Sequence, residues 1–295
     1  MTADLCFTYR ADANEEEWRD WCARNAADPG SLSPAGTALL PDRCLAFDHY
    51  SETLGGGVLD VRERVGGYVE GVLLRASPAG RDALDRKQGL SDFYERVSRT
   101  VILPGGAAAK AIVYEVAGSR PRAFTPPTDD YLGIIRRGLA SHGIDPAPLE
   151  AAARGEEGCH VLAEIFAYGT LMRGEVRHAP AARAGLASVR SARTRGCLHD
   201  FGAYPGLVLA AKGAGRDVQG ELLTFRDAAV ALPALDSIEG ARPFCAPGAL
   251  YRRTIVTVTD ASGRARRAWA YVVEAARAAA APVIASGSWR RHLTA

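Results

Sequence analysis

Phe166-Ala167-Tyr168-Gly169-Thr170-Leu171 closes an apolar run that begins at Val161 and is followed by Met172-Arg173-Gly174-Glu175. Val161, Leu162, Ile165 and Phe166 suit a buried strand, Gly169 frees the backbone for a tight bend, and Thr170 offers a cap to whatever follows. A strand breaking into such a bend turns successive backbone N–H groups outward together, a geometry that holds a carboxylate or phosphate. Taken alone, the stretch is more often an ordinary strand-to-helix corner.

Its company decides the reading. Tyr204-Pro205-Gly206, Val218-Gln219-Gly220-Glu221-Leu222, Leu235-Asp236-Ser237-Ile238-Glu239-Gly240, Tyr251-Arg252-Arg253, Ala268-Trp269-Ala270-Tyr271 and Ser286-Gly287-Ser288-Trp289-Arg290 follow in order. Together with Tyr168-Gly169-Thr170-Leu171, this series resembles the γ-glutamylcyclotransferase superfamily, with its AIG2-like proteins and the acyl cyclotransferase of butirosin synthesis, over residues 161–295. The resemblance implies an α+β fold, a mixed β-barrel with helices outside. It also implies that Glu239 is the general acid/base and that Tyr168, Gly169, Thr170 and Leu171 grip a substrate carboxylate. Tyr204 would line the pocket, and Tyr251 would orient the substrate or Glu239.

A chain of 295 residues accommodates two ordinary domains, and 47% hydrophobic with 24% charged residues are globular values. A formal charge of +2 gives no argument for a nucleic-acid partner, since the arginines are scattered among acids. Asp4 and Arg10 interrupt the apolar core a signal peptide needs, and no run approaches a membrane span, so a cytoplasmic protein is expected. Cys6, Cys22, Cys44, Cys159, Cys197 and Cys245 are widely spaced without a C-x-x-C pair, which points to neither a zinc site nor a disulfide framework. No cofactor is called for. The sequence leaves the oligomeric state open.

The first half repeats the second. Val69-Glu70-Gly71-Val72-Leu73-Leu74 matches Val218 to Leu223, and Leu84-Asp85-Arg86-Lys87-Gln88-Gly89 matches Leu235 to Gly240. Tyr94-Glu95-Arg96 answers Tyr251-Arg252-Arg253, and Ile112 to Val116 answers Trp269 to Val273. The separations, 149 residues for Gly71 and Gly220 and 157 for Tyr114 and Tyr271, drift by loop-sized amounts, as two copies of one fold would. In the first copy Arg10-Ala11-Asp12 stands where Gly169-Thr170-Leu171 stands, and Gln88 takes the place of Glu239. An amide exchanges no proton near neutral pH, so residues 1–155 read as a degenerate pseudo-domain and 156–295 as the catalytic domain.

Local signals fill in the elements. Asn14 caps a helix carrying Trp18, Trp21 and Cys22, residues 28–36 read as a loop, and 44–50 as a strand. Gly55-Gly56-Gly57 reads as a bend. Thr128 caps a helix with Tyr131, Ile134, Ile135, Gly138 and Leu139 on one face. In the second copy strands are expected at 165–168, 196–201, 207–210, 218–225, 253–258 and 268–273. A helix from Asp227 would carry Val230, Leu232 and Leu235 inward across an awkward Pro233. Glu239 falls at its end, where the dipole favours cations rather than carboxylates, and Gly240 suits a left-handed cap.

The implied substrate is a small γ-glutamyl amine or peptide. Its α-amine attacks the side-chain carbonyl, closes 5-oxoproline and expels the amine. One carboxylate can take a proton from the attacking nitrogen and return it to the departing one. Alternatives are the same cleavage used to deprotect a biosynthetic intermediate, and a non-catalytic small-molecule binder. Tyr271 reads as strand core and Arg173 and Arg177 as solvated. His178, His199 and Cys245 lack any hydrolase motif around them.

Overall fold

Cys6 and Phe7 are buried in a short strand, β1 (Asp4–Thr8), of the computed structural model, which describes residues 3–90, 93–118, 122–210, 214–241 and 249–294. The chain divides into two units, Met1–Leu103 with Ala109–His160 and Pro104–Ala108 with Val161–Ala295. In the first, α1 (Glu15–Arg24) starts at Asn14, whose side chain accepts from the N–H groups of Glu16 and Glu17. A long hairpin, β2 (Leu32–Ser51) and β3 (Gly56–Ala76), leads to α2 (Pro78–Gln88), then β4 (Tyr94–Ile102) and β5 (Ala108–Val116). α3 (Asp129–Ser141), capped by Thr128, and α4 (Ala147–Ala153) follow. The strands run β1-β5-β4-β2-β3 and close because β1 also pairs with β3; β1 and β5 are parallel, so the barrel is mixed. β6 (His160–Val161) joins the edge of β3.

The second unit repeats the plan. β7 (Glu164–Ala167) pairs antiparallel with β10 (Arg216–Phe225) and parallel with β12 (Ala265–Val272). α5 (His178–Arg183), β8 (Leu186–Asp200), β9 (Pro205–Leu209), α6 (Ala228–Ile238) and β11 (Arg252–Asp260) supply the rest. Here β7, β12, β11, β8 and β10 close the ring, with β9 outside on β8. α7 (Ala275–Ala278) and α8 (Trp289–Leu293) end the unit. The fold is α+β, two closed five-stranded mixed barrels with helices around them. Ile165, Phe166, Leu222, Leu223, Val258 and Trp269 fill the second core.

The glycine matched between the copies has a steric cause. A Cβ on Gly220 would stand 2.3 Å from the Ala167 carbonyl oxygen and 2.7 Å from the Phe166 ring; on Gly71 it would meet the Phe7 ring at 2.4 Å and the Thr8 carbonyl at 2.6 Å. Only hydrogen fits where β10 or β3 passes beneath the aromatic strand.

Several expected boundaries move. Residues 28–36 are not all loop: β2 begins at Leu32, and Pro34 and Pro41 are accommodated at register shifts, where a missing N–H breaks no ladder bond. The strand expected at 196–201 begins ten residues earlier, at Leu186 in β8. Its Arg193 and Arg195 face solvent while Ala192, Thr194 and Gly196 face inward, an alternation written in small and charged residues instead of Val and Ile. The run before the bend also starts later, since β7 begins at Glu164 and Val161 is exposed. Val230 points outward at 61% exposure; Ala231, Leu232 and Leu235 form the buried face of α6, which continues past Pro233.

Candidate active site

β7 ends at Ala167, and the next four residues turn inward instead of starting a helix. Thr170 caps nothing: its carbonyl accepts from the Arg177 N–H (2.9 Å) at the end of a run of turns, and α5 begins only at His178. Gly169 has no left-handed φ, so the bend itself does not demand glycine. Space does. A Cβ there would come within 2.5 Å of Pro205 Cγ. The Tyr168 hydroxyl donates to the Tyr271 carbonyl (2.6 Å) and accepts from the Leu207 N–H (3.1 Å), tying the bend to β12 and β9. Among the described residues, the backbone N–H groups of Gly169, Thr170 and Leu171 have no hydrogen-bond partner. Thr170 and Leu171 are buried. Such a row of N–H donors attracts an anion.

Across the cleft stands Glu239. Asp227 caps α6 through the Ala229 N–H, Glu239 closes it with its own N–H on the Leu235 carbonyl, and Gly240 at φ +58° turns the chain away. The residue is 5% exposed, so it is no solvated side chain on a frayed helix end. Burial pushes its carboxyl pKa up, and Arg177 pulls it partly back from 3.5 Å. Arg177 is therefore not simply solvated, because it bridges the Ile238 carbonyl (3.2 Å) and the Glu239 carboxylate.

Phe166 to Leu171, Pro205, Glu239, Tyr251 and Tyr271 line one cleft. Tyr251 is fixed by donation to the Pro205 carbonyl (2.7 Å), and burial, then the nearby Glu239, holds its phenol protonated. Tyr204 is one layer back, stacked on Phe201 at 5.8 Å and edge-on to Tyr251 at 6.1 Å. Tyr271, expected as core alone, both lines the cleft and donates to Asp236 (2.8 Å), which pairs with the buried Arg253 (3.0 Å). The sequence reading missed Pro205 as a wall and Arg177 as a partner of Glu239. The Tyr-Pro-Gly motif contained the first; nothing in the order of residues pointed to the second. Cys245 lies outside the described residues. His178 and His199 bind backbone carbonyls, of Leu171 (3.1 Å) and Ala281 (3.0 Å).

The first unit builds the same frame and fills it. Tyr9 donates to the Tyr114 carbonyl as Tyr168 does to Tyr271, and Tyr114 donates to Asp85 as Tyr271 does to Asp236. At the Gly169 position Arg10, 4% exposed, turns its guanidinium into the cleft. It donates to Gln88 (3.2 Å), Asp60 (3.2 Å) and the Tyr114 carbonyl (2.6 Å) and lies over the Tyr94 ring at 4.1 Å. Gln88 in turn donates to the buried Asp12. Asp48, His49 and Asp60 nearby place ligand atoms within 4.8 Å of one another. Arg122 at 3.3 Å from Asp48 and Arg10 at 3.2 Å from Asp60 already bring cations to these carboxylates, so the group reads as an ion network.

Residues 165–291 match the family model described as "Gamma-glutamyl cyclotransferase, AIG2-like". The second unit is similar to that family. Among solved structures, the chain is similar to a "Gamma-glutamyl cyclotransferase" at 24% identity, over 52% of this chain and 85% of that one, with a TM-score of 0.42. An uncharacterized Homo sapiens protein shares 23% identity over 52% and 86%, TM-score 0.43. An AIG2-like protein of Mus musculus shares 26% over 42% and 86%, TM-score 0.34. Curated proteins give no match. The matched segment spans the bend, the Pro205 wall, Glu239 and Tyr251, and lies wholly in the second unit.

Proposed function

We propose that the second unit is a γ-glutamyl cyclotransferase, releasing 5-oxoproline and a free amine from a γ-glutamyl amine or peptide. The N–H groups of Gly169, Thr170 and Leu171 receive the substrate α-carboxylate, which curls the glutamyl chain so that its α-nitrogen faces its own γ-carbonyl carbon. Glu239 takes a proton from the α-ammonium. The freed nitrogen attacks the γ-carbon, the protonated Glu239 gives its proton to the departing nitrogen as the old amide bond breaks, and Glu239 then takes the second proton of the new ring nitrogen, which ends on the released amine as its ammonium. Because nucleophile and electrophile share one molecule, orientation supplies a large part of the rate. Tyr251, locked on the Pro205 carbonyl, sets one wall beside Glu239.

The observation that carries this reading is Glu239 itself, a buried carboxylate with a raised pKa in a cleft with a row of N–H donors that have no partner among the described residues. Burial makes the protonated form of such a carboxyl easier to reach, which suits a group that takes a proton and gives it back. Reaction in isotopically labelled water tests it. An internal nucleophile gives 5-oxoproline with no label in the ring carbonyl, and methylating the α-amine slows the reaction severely. Free glutamate carrying one labelled oxygen as the first product would make the enzyme an amidase and overturn the reading.

A further inference from the structure

The cysteine spacing points to no disulfide, yet the fold of the first unit brings two thiols together. Cys44 lies in β2, and Cys159 lies in the segment after α4. The Leu45 N–H donates to the Gly158 carbonyl at 2.8 Å, and these two residues form an antiparallel bridge. The next pair outward on that bridge is Cys44 with Cys159. In an antiparallel pairing the residues flanking a hydrogen-bonded pair form a non-hydrogen-bonded one, with Cα atoms about 4.5 Å apart and side chains on the same face. That spacing lies within the range a disulfide spans.

The surroundings fit thiol chemistry. Arg62, opposite Cys44 in the β2–β3 register, donates its Nε–H to Cys44 Sγ at 3.3 Å. The Cys159 thiol donates to Cys44 as well, and these two donors hold the Cys44 thiol pKa down against burial. Gly67 leaves the space Cys159 occupies, since a Cβ there would stand 2.9 Å from its Sγ. Glu157, paired with Arg64, pins the same segment. Cys44 is 1% exposed and Cys159 is part-exposed, so an oxidant meets Cys159 first.

We propose that Cys44 and Cys159 form a redox couple that closes to a reversible disulfide by exchange with a low-molecular-weight disulfide. Cys159, the more exposed of the two, gives up its proton as it attacks one sulfur of the small disulfide and expels the first small thiol, leaving a mixed disulfide on Cys159. The Cys44 thiolate, held by Arg62, then attacks Cys159 Sγ and expels the second. The two protein thiols lose two electrons and two protons; the small disulfide gains them and becomes two thiols. Closure fastens the segment at Gly158 and Cys159 covalently to β2, across a loop of more than a hundred residues.

Equilibrating the full chain in mixtures of oxidised and reduced glutathione, quenching by alkylation and mapping the peptides tests this. At the oxidising limit the map should contain the Cys44 and Cys159 peptides joined and two hydrogens lighter than the free pair, reverting with dithiothreitol. Cys6, Cys22 and Cys197 should still take the alkylating reagent. Cys44→Ser should stop at a glutathione adduct on Cys159, and Arg62→Met should slow closure about tenfold. The wild-type map decides by itself if a variant folds poorly. Separate alkylation of Cys44 and Cys159 at the oxidising limit, or a lasting glutathione adduct on Cys159 in the wild type, would overturn the proposal.

Discussion

A carboxylate closing a helix faces the negative end of its dipole, and Glu239 does so while buried. Arg177 offsets part of that cost, and the remainder shows as an upward pKa shift. Glu239→Gln keeps the shape and removes the proton exchange. Turnover should fall by about 10²- to 10⁴-fold with substrate affinity kept, read by 5-oxoproline release and calorimetry. The same variant has a pH signature. A folded pKa above the unfolded value favours the protonated form, so that stability is complete below the unfolded pKa and is lost as pH rises through the folded one. Relative to wild type, Glu239→Gln should gain thermal stability as pH climbs above 4.5, the ordinary Glu value; a midpoint difference flat with pH would contradict a buried, ionising Glu239. Gly169 is governed by space. Gly169→Ala drives a Cβ into Pro205 and should cost about 1–3 kcal/mol in unfolding, and Pro205→Ala should recover part of it in a double-mutant cycle. Strict additivity would mean that the two residues do not meet.

At the scale of elements, the informative comparison is one strand-to-bend unit built twice. After β7 the bend leaves N–H donors open; after β1 the same turn delivers Arg10, and its guanidinium occupies the counterpart cleft beside Gln88, Asp60 and Tyr94. Gln88→Glu therefore restores a carboxylate without restoring a site. In a Glu239→Gln background it should release no 5-oxoproline, and measurable release would show that Arg10 yields its place to substrate. Arg10→Ala should instead cost about 3 kcal/mol or more, because it strips a cation from the fully buried Asp60; the unfolding midpoint reads it. The motif at each bend was legible, since Arg10-Ala11-Asp12 and Gln88 differ by residue type from Gly169-Thr170-Leu171 and Glu239. That the arginine plugs the cleft was not legible, because its reach depends on where β3 places Asp60, fifty residues along. Element edges failed for a related reason. β8 alternates Arg with Ala and Thr, and β2 carries two prolines at bulges, so neither reads as a strand by composition. Pairing with neighbours supplied what propensity did not.

For the whole molecule, the repeat was the most legible feature and its chemistry the least. Gly71 with Gly220, Asp85 with Asp236 and Tyr114 with Tyr271 match because each holds a barrel together: the glycines under an aromatic strand, the tyrosines on their aspartates. These are constraints of packing, and both copies keep them. Gly169, Thr170, Leu171 and Glu239 obey no such constraint and have given way to Arg10, Ala11, Asp12 and Gln88, which separates what the fold needs from what the reaction needs. If that separation is real, one chain carries one substrate site. Titrating full-length Glu239→Gln with a γ-glutamyl amine it cannot cleave should saturate at one equivalent per chain. Arg177→Met should weaken the response, since it withdraws a cation from the second cleft, and Arg10→Gln should leave the stoichiometry unchanged. Two equivalents would mean that the first cleft also binds the substrate, with its arginine as the carboxylate partner. Saturation at one equivalent that is lost on Arg10→Gln and kept on Arg177→Met would place the site in the first unit and reverse the assignment of the two copies.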